Sequence, residues 1–124
     1  YKISWNPLGV LSAANNDALY LRDSETISVS GRDLLLDTAP CDEFPGMKME
    51  VLPNRDSLAY RNLYGVRDVT TIFRGTLRYP GWSDIIQSFK FLGLLSAEKI
   101  DNEESKNWVG LMIHQINKLE IQYC

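Results

Sequence analysis

Two hydrophobic periods succeed one another along the chain, and the change between them falls near Gly81. In "SWNPLGVLSAANND", Ser4 and Asn6 are candidate helix caps. Pro7 suits a first helical position, where its missing N–H leaves nothing unpaired. Leu8, Val10 and Leu11 give a short apolar face that Asn15 to Asp17 ends. Leu19 and Leu21 alternate with polar neighbours before "RDSE", and Ile27 and Val29 alternate after it, which predicts a hairpin closed by Gly31. "RDLLLDTAP" fits one helical turn or a short strand, and the turn is the preferred reading. "PGMKMEVLPN" predicts a strand with Met47, Met49 and Val51 on one face. Pro53 cannot donate to a ladder, so pairing stops there or the strand lies at an edge. Asp56 and Ser57 precede "SLAYRNLYGV" as helix caps, and Gly65 stands where a left-handed glycine ends a helix. "VTTIFRGTLRY" is the strongest strand signal, rich in β-branched and aromatic residues, and "PGW" breaks it.

Beyond that break the period becomes helical. Trp82, Ile85, Ile86, Phe89 and Leu92 fall on one stripe, with Ser83 as its cap and Gly93 near its end. "AEKIDNEES" is a polar connector. Trp108, Leu111, Met112, Ile116 and Leu119 then form a second stripe. The expected fold class is α+β: residues 1–80 carry a mixed or antiparallel sheet with helices, and residues 81–124 begin an all-helical part. No internal repeat or low-complexity stretch is present.

At 124 residues the chain has the length of one modest domain. Its 44% hydrophobic and 23% charged residues match an ordinary globular composition, so disorder is not expected over most of it. A net charge of −3 argues against nucleic acid or an anionic membrane surface as partner. No apolar run approaches the roughly 20 residues that span a bilayer. Cys41 and Cys124 have no metal-ligand spacing and read as reduced thiols rather than a disulfide framework. One histidine, His114, leaves no multi-histidine metal site and fits packing or surface better than general-base work. The start at Tyr1 and the stop at Cys124, just after an amphipathic helix, suggest a segment of something longer.

Candidate chemistry lies in two places. Along "TTIFRGTLRY" a period of two puts Thr70, Ile72, Arg74, Thr76 and Arg78 on one face, with the two guanidinium groups about 13 Å apart. An arginine fork matches a carboxylate with two parallel hydrogen bonds, although a solvated face with each arginine paired to a neighbouring acid is the plainer account. Gly75 would re-aim one of them if it marks a bulge. The second place is "PNRDS". Asn54 suits a left-handed turn, Asp56 or Ser57 a cap, and Arg55 runs against the helix dipole. Trp5 and Trp82 read as core anchors. No GxGxxG or GxxxxGK loop is present, so this stretch has no recognisable phosphate cradle.

Taken in order, "YKISWNPLGVL", "VLPNRDSLAYRNLYGV" and "TIFRGTLRYPGW" closely resemble the saccharopine dehydrogenase (L-glutamate-forming) family of lysine metabolism. The wording is nearest the saccharopine dehydrogenase part of the plant-type bifunctional lysine-ketoglutarate reductase/saccharopine dehydrogenase. The likeness is strong over residues 1 to about 95 and fades over 96–124. It implies the second, α+β domain of such an enzyme, whose sheet faces the cofactor and supports a homodimer, followed by the start of a helical insertion. NAD or NADP would be bound by a Rossmann domain absent from this chain. The implied reaction transfers hydride from the carbon beside the secondary amine of saccharopine to the nicotinamide. Water then hydrolyses the imine to glutamate and α-aminoadipate semialdehyde.

The resemblance places the acid/base lysine and aspartate near the Rossmann domain, so no residue here is catalytic and none holds a metal. Val29, Ser30 and Gly31 match the family's V-x-G, where backbone groups approach saccharopine. Fungal members carry an arginine in S-W-x-P-R-G where this chain has Leu8, which removes one carboxylate partner. Arg74, Arg78 and Arg55 are the remaining substrate-binding candidates, from the strand-face argument. The partners implied are saccharopine, the remainder of the parent enzyme and a second protomer. The home implied is the cytoplasm, or the mitochondrion for an animal-type enzyme. The competing reading is a non-catalytic binding or dimerisation module that keeps this fold without the cofactor domain.

Overall fold

The computed structural model describes residues 6–99 and 106–123, with side chains described through Leu119. Ser4 and Trp5, named above as a cap and an anchor, and Cys124 lie outside the described residues. Contacts divide the chain into two compact units, Tyr1–Ile86 and Gln87–Cys124.

Helix α1 (Pro7–Ser12) starts where Asn6 Oδ1 accepts the Gly9 N–H at 3.2 Å, with Pro7 in the first turn as its fixed φ allows. A 3₁₀ turn, Ala13–Asn15, carries the chain into β1 (Ala18–Arg22). β1 and β2 (Glu25–Val29) form the expected antiparallel hairpin. Its two turn residues, Asp23 and Ser24, both have positive φ (50° and 69°), the hand that matches strand twist in a two-residue hairpin. The turn expected in "RDLLLDTAP" is the 3₁₀ turn Leu34–Leu36, whose Leu34 and Leu35 are buried. Strands β3 (Ala39–Pro40) and β4 (Glu50–Pro53) follow, then β5 (Arg55–Asp56) and the short helix α2 (Ala59–Leu63). Gly65, at φ +68°, ends α2 in a Schellman motif: its N–H goes to Asn62 O, and the Val66 N–H goes to Arg61 O.

The fold class is α+β, with two three-stranded sheets rather than one. The first is mixed, in the order β2-β1-β5, with β5 parallel to β1. The second is antiparallel, in the order β3-β4-β6, where β6 is Gly75–Arg78. Val10, Ala14, Ala18, Tyr20, Leu21, Leu34, Leu35, Leu52 and Ile86 are buried in this unit. Tyr20 is only 1% exposed; it meets Phe73 edge-to-face at 5.2 Å and donates its phenol to Asp37 at 3.0 Å.

Four expectations need correction. The strand over "VTTIFRGTLRY" is not continuous. Ile72 makes a lone bridge to Leu21 in the first sheet, and only Gly75–Arg78 pairs with β4 in the second. The strand predicted from Met47 begins at Glu50, and Met47 is exposed. Asn54 is not the left-handed residue; Arg55 is, at φ +57°. Ser83 lies inside helix α3 (Trp82–Phe91) rather than capping it, and the cap comes from Glu50 on β4. That carboxylate accepts the Ser83 N–H at 3.0 Å, the Ser83 hydroxyl at 2.6 Å and the Gly81 N–H at 3.4 Å. A local sequence window cannot reveal a cap supplied by another strand.

In the second unit, Gly93 (φ +73°) closes α3 with a second Schellman motif, through Gly93 N–H to Lys90 O and Leu94 N–H to Phe89 O. α4 (Trp108–Tyr123) is capped by Asn107, whose Oδ1 accepts the Gly110 N–H at 2.8 Å. Its most buried described side chain is not an apolar stripe residue but Gln115, at 6% exposure; Trp108 is 78% exposed. Gln115 packs on Gly93, where a Cβ would lie 2.5 Å from its Oε1.

Candidate substrate-side site

"NRDS" is the place where the chain changes sheet. Leu52 and Pro53 still pair with Thr76 and Gly75 in the second sheet, while Arg55 and Asp56 pair with Ala18 and Leu19 in the first. The facing segment crosses in the opposite direction, from Ile72 to Gly75. Three hydrogen bonds tie the crossings together. The Asn54 N–H goes to Arg74 O at 2.9 Å, the Asn54 Nδ2 to Thr76 Oγ1 at 2.9 Å, and the Arg74 N–H to Ser57 Oγ at 2.9 Å. Ser57 is 1% exposed, and its own N–H reaches Leu19 O at 2.7 Å. Asp56 accepts the N–H groups of Leu58 (2.7 Å) and Ala59 (3.4 Å) at the head of α2. Arg55 and Asp56 are exposed, whereas Ser57 is buried.

The candidate residues open onto different cavities. Val29 and Ser30, with Ser28, Asp33, Leu36 and Asp37, line an open cavity of about 270 Å³. Gly31 beside them is buried and donates its N–H to Asp17 Oδ1 at 2.6 Å. A Cβ there would run into the Asn15 carbonyl, so only glycine lets the two backbones approach this closely. Arg74 lines a second cavity of about 350 Å³ with Ser57, Tyr60, Tyr64, Ile72 and Phe73, its guanidinium 5.7 Å from the Tyr60 ring centre. Arg78 is half-buried beside a third, mainly apolar cavity of about 20 Å³, lined also by Leu34, Leu52, Asn54 and Trp82. Its guanidinium lies 4.7 Å from the Trp82 ring centre and donates from Nη1 to Leu77 O, while its buried Nε has no partner among the described residues.

Arg55 is the arginine that strand register aligns with the V-x-G segment. Ala18 pairs with Val29 on one side and with Arg55 on the other, so Val29 and Arg55 stand two strand spacings, about 10 Å, apart. A left-handed backbone at a non-glycine residue costs about 1 kcal/mol or more, and such strain concentrates at functional positions. The sequence did not single out Tyr60 and Tyr64 as cavity walls, nor Asp33 and Asp37. Helical spacing of the two tyrosines was the available signal; the carboxylates had none. Burial, followed by the hydrogen bond to Asp37, pushes the Tyr20 phenol above its ordinary value. The Cys41 thiol, hydrogen-bonded to Glu43 at 3.1 Å, is raised chiefly by that bond, which in turn holds the Glu43 carboxyl below its usual range.

One β-strand–turn–α-helix passage with a long helix occurs in the described first unit, β6 into α3. Its helix N-terminus is filled by the Glu50 carboxylate. An anionic pyrophosphate has no place there, and these residues do not fit a dinucleotide.

The chain matches the family model for the saccharopine dehydrogenase C-terminal domain over residues 1–121. It is 42% identical over 99 residues to mouse mitochondrial alpha-aminoadipic semialdehyde synthase, a match covering 79% of this chain and 11% of that protein. The Arabidopsis thaliana alpha-aminoadipic semialdehyde synthase is 43% identical over 101 residues, covering 79% and 10%. The NADP⁺, L-glutamate-forming saccharopine dehydrogenase of Saccharomyces cerevisiae is 34% identical over 118 residues, covering 89% and 26%. The solved apo structure of the L-glutamate-forming S. cerevisiae saccharopine dehydrogenase superposes with a TM-score of 0.81 at 32% identity, over 94% of this chain and 26% of that one. The chain thus spans between a tenth and about a quarter of the length of these relatives. It belongs to the saccharopine dehydrogenase C-terminal domain family.

Proposed function

We propose that the chain is the substrate-side α+β domain of an L-glutamate-forming saccharopine dehydrogenase. The parent enzyme oxidises saccharopine with NAD⁺ or NADP⁺ and hydrolyses the imine to glutamate and α-aminoadipate semialdehyde. The nicotinamide cofactor is held by chain outside these residues: among the described residues, the helix N-terminus that follows strand β6 is occupied by Glu50. No residue of this chain takes the substrate proton or hydride. Its share is to hold the amino acid by its carboxylates and to contribute to a homodimer.

The alignment of Val29, Ala18 and Arg55 across one sheet carries the substrate side of this reading. Val29 and Ser30 line the open cavity, Gly31 fixes the turn beside them through its bond to Asp17, and Arg55 offers a charge-assisted fork about 10 Å from Val29, within the span of an extended tricarboxylate. Arg74, at its own cavity, and Arg78, against Trp82, are the candidates for the other carboxylates. The family match, together with this geometry, favours the enzyme reading over a free-standing binding module.

Arg55→Gly in the parent enzyme is the test. Glycine adopts φ +57° without strain, so the backbone survives while the guanidinium is lost. Losing one charged hydrogen-bond partner of a carboxylate, about 1.5–3 kcal/mol, raises KM for saccharopine roughly tenfold to hundredfold, with KM for the nicotinamide unchanged. An unaltered saccharopine KM removes Arg55 from the site. Equal loss for both ligands points to disturbed folding instead.

A further inference from the structure

The Arg74 cavity has the makings of a site in its own right. Its floor is Ser57, buried, whose Oγ accepts the Arg74 N–H at 2.9 Å, and no described group takes the hydroxyl's own proton. Its walls are Phe73, Ile72 and the paired rings of Tyr60 and Tyr64, stacked at 5.6 Å with planes 17° apart. The Arg74 guanidinium lies over Tyr60 and forms no ion pair among the described residues. No carboxylate lines the cavity, so every polar side chain in it can donate a hydrogen bond: a guanidinium, a serine hydroxyl and two phenols. Its volume, about 350 Å³, is at the lower end of small-molecule sites.

A guanidinium held on an aromatic face keeps its in-plane N–H groups directed outward, the arrangement that takes a carboxylate edge-on. The rings beside it suit a flat or apolar body better than a compact inorganic ion. We propose that this cavity binds a small organic carboxylate, with the carboxylate on Arg74 and Ser57 and the body along Tyr60, Tyr64 and Phe73. The site stands on this geometry whether the carboxylate belongs to saccharopine or to a separate small acid.

Calorimetric titration of the purified protein with sodium benzoate, and with benzyl alcohol at matched ionic strength, tests it. Benzoate is expected to bind saturably and benzyl alcohol at least tenfold more weakly. Arg74→Gln weakens benzoate at least tenfold, and Arg74→Lys recovers part of the loss by restoring the charge. Should the Gln variant lose its cooperative thermal transition, Arg74→Lys compared with Tyr60→Ala carries the test, each weakening benzoate threefold or more. Saccharopine titrated into benzoate-loaded protein identifies the source. Competition makes the carboxylate the substrate's, independence makes it a second ligand's, and both support the site. Absence of saturable benzoate binding overturns the proposal. So does equal affinity for the alcohol, or unchanged benzoate affinity in the folded Arg74 variants. The assay involves no turnover, so its failure leaves the substrate role of Arg55 to be judged by KM alone.

Discussion

Replacing Glu50 by alanine isolates the contact that joins the second sheet to α3. Its carboxylate accepts two backbone N–H groups and the Ser83 hydroxyl, and Ser83 is 3% exposed. Loss of a helix cap costs about 1 kcal/mol. A buried hydroxyl left without its partner costs about 1–3 kcal/mol more. Glu50→Ala should therefore lower stability by about 2–4 kcal/mol. In urea, with a slope of roughly 1–3 kcal/mol per molar, the midpoint should fall by about 1–2 M with the slope unchanged. Ser83→Ala removes both the hydroxyl and its need for a partner, so it should cost less. The double variant should then be more stable than the two single losses predict when added. A Glu50→Ala midpoint within error of wild type, or strictly additive losses, would show that water replaces the carboxylate and that the cap is incidental.

Gly31→Ala forces a Cβ into the Asn15 backbone and should cost about 3 kcal/mol by overpacking. Gly65→Ala, strained at φ +68° but in open space, should cost about 1 kcal/mol; urea unfolding that ranks them the other way contradicts the packing described. Tyr20 has a raised phenol pKa in the folded protein, so its contribution is complete below the ordinary value of 10.0 and is lost as pH rises through the folded value. Wild type should therefore lose stability more steeply than Tyr20→Phe above that pH, and parallel curves would remove the effect. The Cys41 thiol, raised by its bond to Glu43, holds less thiolate at neutral pH than a free cysteine. Iodoacetamide should label the Cys41 peptide slowly, and Glu43→Gln should speed labelling; equal rates by mass spectrometry refute the bond. The 124 residues alone should give no saccharopine-dependent NAD⁺ or NADP⁺ reduction, since they lack a dinucleotide cradle, and measurable turnover would contradict the domain assignment.

Elements determined by neighbouring residues were legible. Asn6 and Pro7 marked α1, the alternation around "RDSE" marked the hairpin, and Gly65 and Gly93 marked helix ends through their left-handed φ. What could not be read locally depends on distant partners. "TTIFRGTLRY" has uniform strand propensity, yet two different sheets compete for it, and Ser57 and Asn54 take the Arg74 peptide between them. Arg74 and Arg78, two strand periods apart in the sequence, consequently open onto separate cavities. Ser83 looked like a cap because its true partner, Glu50, stands 33 residues earlier. Arg55 stood out for opposing the helix dipole and as one of three candidate arginines, but its alignment with Val29 requires knowing that β5 pairs parallel to β1. The helical stripes overstated burial in the second unit, where Gln115 is buried and Trp108 is exposed.

The twin crossings at Asn54–Ser57 and Ile72–Gly75 also govern where this fold can change length. Between Pro53 and Arg55 a single residue separates pairing in one sheet from pairing in the other. Adding or deleting one residue there would throw one of the two ladders out of step and invert its inward and outward faces. The stretch from Asp42 to Lys48, exposed throughout and outside both sheets, has no such constraint. Natural insertions, epitope tags or fluorophore loops therefore belong in that stretch, and a single-residue indel inside "PNRDS" should be as disruptive as losing a core side chain.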